Sequence, residues 1–342
     1  MNWLQHNINE RKVMLQQVAD SIHLPDYAIE KDWWVTMVLK ALFETDCAPF
    51  LEFKGGTSLS KGWNLIERFS EDIDLTIDHT FFTNDIANNN QLKNLRKKCH
   101  KYVIDNLTKQ LATVLTRMGL QGFEVVSKTV DEEGNAISTD ADPAVLYVDY
   151  ESVSDSRSAY MPARVKIEIS CLSMKEPFEL RTINSMIKDK FSEEDEDTTC
   201  VIPVVMPERT FLEKAFLLCE EFQKQDPRSL RMSRHLYDLE KLMDTTFGEK
   251  ALSDKILYGK VVEHRRKFYH VSYADYDKDY PPYITIVPPD SCLDAWRLDY
   301  QELQQQFIHG QSLSFDDLLK RMEILQQRLQ SSSVNDANFT ET

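Results

Sequence analysis

Glycine is scarce in this sequence, with 9 residues in 342. That is too few for the turns of a loop-rich all-β fold, so many helices are expected. The six cysteines (47, 99, 171, 200, 219 and 292) are scattered without a CxxC pair, and the eight histidines show no HxxxH or HExxH spacing. Neither a zinc site nor a disulfide framework is expected; free thiols in a reducing compartment are. Long apolar runs are also missing. The longest, Trp33 to Phe43, is interrupted by Thr36 and Lys40 and is too short to span a bilayer. The start, MNWLQHNINERK, has no apolar segment behind a basic one, so no signal peptide is expected. These absences point to a soluble cytoplasmic protein with no membrane partner.

Positive charge is in deficit. Forty Lys and Arg against 56 Asp and Glu give a net charge of −16, which argues against a protein that binds polyanions over its whole surface. The balance is uneven, however. Between Gln91 and Arg117 lie Lys93, Arg96, Lys97, Lys98, Lys101, Lys109 and Arg117 against the single acid Asp105, and HRRKFYH (264–270) is a second basic cluster. Any nucleic-acid surface must be local. With 42% hydrophobic and 28% charged residues the chain reads as globular, and its length suits two subdomains.

Apolar spacing predicts helices over 3–22 and 26–44, separated by Pro25. FLEF (50–53) is followed at once by Lys54, Gly55 and Gly56, then by a helical run, TSLSKGWNLIERF. DIDLTID (72–78) alternates strictly, which predicts a half-buried strand with Asp72, Asp74, Thr76 and Asp78 on one face. The basic stretch 91–117 is amphipathic. Strands are expected in 123–130, 143–153 and 163–170, with a turn at DSRS (155–158) and a closing strand or extended entry at 201–205. Helices are expected at 208–223, 228–244, 254–269, 290–308 and 314–331, and the tail SSSVNDANFTET should be disordered.

The order strand, Gly-Gly, helix, then a strand bearing Asp-x-Asp carries chemistry. A helix start preceded by glycines leaves amides unpaired and lets them approach a phosphate; Ser58 sits in that turn and can add a hydroxyl donor. Asp72 and Asp74 project from one strand face and can hold Mg²⁺, and a third carboxylate on a neighbouring strand would complete a two-metal site. Glu168 is the best candidate for it, with Asp149 as the rival. Walker and Rossmann glycine fingerprints are both absent.

KGGTSLSKGWNLIERFSEDIDLTI resembles the GGTSLxK…RFSxDIDL signature of the AbiEii-type nucleotidyltransferases, toxins of a bacterial toxin–antitoxin and phage-defence system on a DNA polymerase β-like fold. IEKDWWV (29–35), VKIEIS (165–170), PERTFLEKAFLL (207–218) and SRHLYDLEKL (233–242) resemble further segments of that family. The spacer from Gly56 to Asp72 is long for nucleotidyltransferases generally and matches this subfamily. The resemblance implies an α+β protein: a helical N-terminal segment (1–45), a nucleotidyltransferase core with a small mixed sheet (46–205), a mostly helical C-terminal domain (206–331) and a flexible tail (332–342).

It further implies transfer of a nucleoside monophosphate from an NTP to RNA, notably the acceptor end of tRNA, with pyrophosphate leaving. Asp72, Asp74 and Glu168 would bind two Mg²⁺ ions. Gly55, Gly56, Thr57, Ser58, Lys61 and Lys214 would meet the nucleotide, and Lys166, Lys214 and Asp238 would complete the catalytic set. A winged-helix antitoxin would be the cognate partner. Each of these has a plainer reading beside it: a cross-strand ion pair for Lys166, a solvated lysine for Lys214, an intrahelical Asp–Arg pair for Asp238 with Arg231. His235 reads as a hydrogen-bonding packer, and Trp33 and Trp34 as core. Arg96, Lys97 and Lys101, with Arg265 and Arg266, are the candidate RNA contacts. Two other activities fit the same residues, transfer to a protein or small-molecule hydroxyl and nucleotide binding without turnover.

Overall fold

The computed structural model describes residues 2–83, 88–154, 162–172, 177–269 and 271–332. The turn expected at 155–158, His270 and the tail 333–342 lie outside the described residues. The chain divides into two units: Met1–Trp63 with Phe69–Val205, and Asn64–Arg68 with Met206–Thr342.

The first unit holds a seven-stranded mixed sheet, which fits the expected α+β class. Its elements are α1 (Ile8–Ile22), α2 (Asp26–Leu42), β1 (Leu51–Lys54), a short helix α3 (Gly55–Thr57) continuing through a wider turn over Ser58–Gly62, β2 (Ile73–Ile77), α4 (Asn89–Tyr102), α5 (Thr108–Arg117), β3 (Phe123–Ser127), β4 (Ala144–Tyr150), β5 (Arg164–Ser170), β6 (Phe178–Ile183), α6 (Met186–Lys190) and β7 (Cys200–Val205). The strand order is β3-β4-β5-β2-β1-β7-β6. β2 runs antiparallel to β1 and parallel to β5, while β1 is parallel to β7. A parallel β2–β5 pair needs a long crossover, and α4, α5 and the β3–β4 hairpin supply it.

Local signals account for these elements. Asn7 caps α1, accepting from the Glu10 amide while the Glu10 side chain returns to the Asn7 amide, and His23 in the left-handed region ends the helix. α2 is buried on nearly every side, as expected of a helix without a continuous polar face. Trp33 and Trp34 are core, and Trp34 stacks on Tyr150 with centroids 4.9 Å apart, a pairing of about 1 kcal/mol. Along β2, Ile73, Leu75 and Ile77 are buried.

Two expectations need correction here. The helical run after the glycines stops at Gly62 rather than reaching Phe69, because Asn64 is left-handed (φ 52°) and the following residues enter the second unit. β6 had no counterpart in the sequence pattern. It is an edge strand on which Phe178, Glu179 and Leu180 are all exposed, so the alternation that reveals a half-buried strand is missing.

The second unit is helical: α7 (Pro207–Glu221), α8 (Ser233–Leu242), α9 (Thr246–Ser253), α10 (Lys255–Phe268), α11 (Leu293–Gln306) and α12 (Phe315–Ser331). Pro207 opens α7 at a first-turn position where its missing N–H costs nothing. The segment 64–68 belongs here: Arg68 bridges Ile308, and the Glu67 carbonyl accepts from the His309 and Gly310 amides at 3.1 and 3.2 Å. A Cβ on Gly310 would overlap the Glu67 carboxylate. Among the described residues no helix is long and apolar enough to cross a membrane.

Candidate active site

β1 ends at Lys54, and Gly55 turns the chain with φ +81°. Only glycine fits, for a Cβ there would overlap the Asp74 carboxylate as well as strain the backbone. No side chain caps the start of α3, so the leading amides of the turn have no partner within the helix. Both hydroxyls of the turn shape it. Ser58 is fully buried and donates to the Gly55 carbonyl at 2.9 Å, and Thr57 donates to the Asp72 carbonyl at 2.5 Å. Lys61, expected at the nucleotide, forms a buried ion pair with Asp32, whose other oxygen accepts from the Met186 amide at 2.7 Å.

The acids gather on one face of the sheet. Asp74 lies in register with Lys54 on β1 and with Glu168 on β5, and Asp72 enters the strand two residues earlier. All three acids are half-buried. Lys166, on the same face of β5, sets its ammonium 2.7 Å from Glu168 Oε1. Burial opposes that charge, yet the Glu168 bond and the charges of Glu168, Asp72 and Asp74 outweigh it and raise the lysine pKa. The plainer reading of Lys166 is a cross-strand ion pair; the pair that forms is with Glu168, two residues on along the same strand. Asp149 sits elsewhere: it pairs in register with Arg164, four residues from Glu168 or about 13 Å along the strand, and is bound by that guanidinium through both oxygens.

Carboxylate oxygens are the donors Mg²⁺ prefers, and the register places Asp74 beside Glu168 as a shared metal would need. Among the described residues no three His, Cys, Asp or Glu side chains are already closed into a cage. The residue types and strand positions therefore fit a divalent cation, while Lys166 pairs with Glu168 and lies on the same face.

In the second unit Asp238, fully buried on α8, receives Arg68 Nε and Nη2 at 2.7 and 2.8 Å and Lys214 Nζ at 2.8 Å. Burial would raise the Asp238 pKa, but the charges of Arg68 and Lys214 drive it far below the usual carboxylate range. Lys214 is lowered by burial and by Arg68, against the pull of Asp238. The intrahelical Asp238–Arg231 pair does not form, because Arg231 precedes the helix in a left-handed conformation and its amide donates to Asp299. His235 is buried and its pKa falls well below 6.5, through burial and then the charges of Lys214 and Arg234; it is a neutral packing residue.

The two basic clusters differ in access. On α4, Lys97 and Lys101 are exposed one turn apart and Arg96 is half-buried. The α10 cluster needs correction. Arg265 is buried and bound through two nitrogens to Glu220, so it offers RNA nothing, and Arg266 pairs with Asp277 at 2.6 Å. Their aromatic neighbours had suggested a stacking surface; burial of Glu220 on α7 demanded the arginine instead.

Sequence reading assigned no role to Glu30, Lys31 and Asp32, three buried charges in a row on α2, and gave Arg68 no firm one. Three adjacent charges inside an otherwise apolar helix was the signal available for the first group.

No individually curated protein matches the chain. The family described as "Nucleotidyl transferase AbiEii toxin, Type IV TA system" matches residues 38–321, a span that includes the glycine turn, all three acids, Lys166 and the Arg68–Asp238–Lys214 cluster. The chain belongs to this AbiEii family of nucleotidyl transferase toxins of type IV toxin–antitoxin systems.

Proposed function

We infer that the protein moves a nucleoside monophosphate from an NTP to a hydroxyl of RNA, the 3′ acceptor end of tRNA being the substrate class, and thereby arrests growth until its cognate antitoxin, a winged-helix protein, counters it. The observation that carries this reading is the glycine turn packed directly against Asp74, with Glu168 in register beside that acid. The reading takes the fold as polymerase β-like and the reaction as Mg²⁺-dependent.

In this mechanism the β- and γ-phosphates rest on the leading amides of α3, at Gly55, Gly56 and Thr57, since the hydroxyls of Thr57 and Ser58 are engaged by Asp72 and Gly55. Asp72 and Asp74 would hold Mg²⁺, which supplies charge neutralisation at the phosphates, and Glu168 would hold the ion nearest the attacking hydroxyl. That hydroxyl releases its proton to solvent as its oxygen bonds to the α-phosphorus, the α–β bridging bond breaks, and pyrophosphate carries away the negative charge. Lys166 neutralises Glu168 before substrate arrives. Asp238 orients Lys214 within the helical unit. Lys97 and Lys101, with Arg96, offer an RNA backbone its phosphate contacts.

Incubation of purified protein with each α-labelled NTP and total RNA, or with cell protein, tests the assignment. Label in the tRNA fraction that disappears with the Asp74→Asn variant is expected. Label entering protein or a small molecule instead would move the acceptor, and no label anywhere would leave a nucleotide-binding regulator.

A further inference from the structure

Consecutive residues of an α-helix point about 100° apart, so three adjacent charges span about 200° and can all be buried only where a helix is enclosed on more than one side. Glu30, Lys31 and Asp32 are such a trio, at 1%, 4% and 3% exposure. Each reaches a different segment. Glu30 accepts from the Val153 amide at 2.9 Å and from the Ser152 hydroxyl, beyond the end of β4. Lys31 pairs with Glu71 at 2.5 Å, and Glu71 immediately precedes Asp72. Asp32 pairs with Lys61 in the turn that follows the two glycines. Both of these pairs are buried, and burying four charges is costly unless the geometry they impose has a use.

We propose that Lys31 and Asp32 are positioning residues of the transfer site: Asp32 through Lys61 fixes the phosphate-facing glycine turn, and Lys31 through Glu71 fixes the strand entry that carries Asp72 and Asp74. Lys61 then acts by holding the turn and makes no contact with the nucleotide. This rests on the functional reading above. It predicts that neighbouring residues of one helix control two separate segments.

The experiment removes each pair whole, so that no unpaired charge stays buried: Asp32→Asn with Lys61→Met, and Lys31→Met with Glu71→Gln. Asn at 32 keeps an acceptor for the Met186 amide. Amide hydrogen exchange is followed by segment in the intact protein, beside nucleotide transfer and equilibrium binding of an α,β-non-hydrolysable NTP. Exchange in 55–62 should quicken tenfold or more in the first variant while 69–75 keeps its protection, and the second variant should do the reverse. The first should weaken NTP binding about tenfold. The second should lower the transfer rate at saturating NTP with affinity kept. General loosening across the unit in both variants, or no change in the named segments, overturns the proposal. So does a lone Lys61→Met that abolishes NTP binding with exchange in 55–62 unaltered, for Lys61 would then be a phosphate ligand. Absence of transfer by the wild type, with the segmental exchange pattern intact, would count against the functional reading alone.

Discussion

The acid face of the sheet and the buried cluster of the helical unit solve opposite electrostatic problems. On the sheet three half-buried carboxylates act on the Lys166 ammonium, which pairs with Glu168; around Asp238 one carboxylate sits between two cations. The first keeps solvent access, so a cation can enter and leave. The second has two cations on one carboxylate and is closed to solvent. Burial sets the cost in each case: half-buried acids tolerate an unbalanced charge that a fully enclosed one cannot.

The largest effect expected from this contrast is on rate. Asp74→Asn should lower nucleotidyl transfer by roughly 10³-fold or more, about 4 kcal/mol of transition-state stabilisation, with little change in thermal midpoint. Glu168→Gln should resemble it and Asp149→Asn should be mild, since Asp149 is tied to Arg164 far along the strand. Steady-state transfer by the three variants decides, and a severe Asp149→Asn beside a mild Glu168→Gln would reverse the ligand choice.

For the enclosed cluster, stability should suffer as well as activity. Asp238→Asn removes the carboxylate charge that buried Arg68 and Lys214 share, at a cost of about 3–5 kcal/mol. Lys214→Met should cost less, because the bidentate Arg68–Asp238 bond stays. Denaturant unfolding of both variants measures the difference, and equal losses would mean that the two cations do not depend on Asp238 unequally.

A third acid of the helical unit extends the comparison. Asp279 is fully buried, and its pKa is pushed up to about 8 by burial and then by the charge of Glu220. The folded state therefore holds a proton that the unfolded chain releases near pH 4. Its contribution to stability is present at acid pH, declines as pH rises between about 4 and about 8, and is level above that, with a slope of at most about 1.4 kcal/mol per pH unit. Asp279→Asn should flatten this part of the profile, as thermal midpoints between pH 5.5 and 8.5 would reveal. An unchanged slope would place the titration elsewhere.

The smallest effect concerns surfaces. Reversing Arg96, Lys97 and Lys101 to glutamate should weaken RNA binding and lower the salt slope by about 0.7–0.9 for each phosphate no longer neutralised, while NTP binding survives. Identical slopes for the triple variant and the wild type would make this helix a solvated face.

Alternation in 72–78 and 164–170, the glycines at 55 and 56, and the helical spacing after Pro207 were legible because each is a local periodicity or a backbone requirement. β6 was not, being an edge strand exposed on both faces, and neither was the eight-residue α9. The acid face could be anticipated from strand parity alone. That Glu168 and not Asp149 lies beside Asp74 could not, since parity says nothing of register between strands.

What the sequence determined by itself were the element types, the shared face of Asp72 and Asp74 and the local nature of positive charge, all properties of neighbours along the chain. Tertiary structure alone decided which cations are spent. Lys61 goes to Asp32, Arg265 to Glu220, and Arg68 with Lys214 to Asp238. A buried acid must find its counter-charge wherever the fold brings one, and sequence distances of 29, 45 and 170 residues carry no trace of that need.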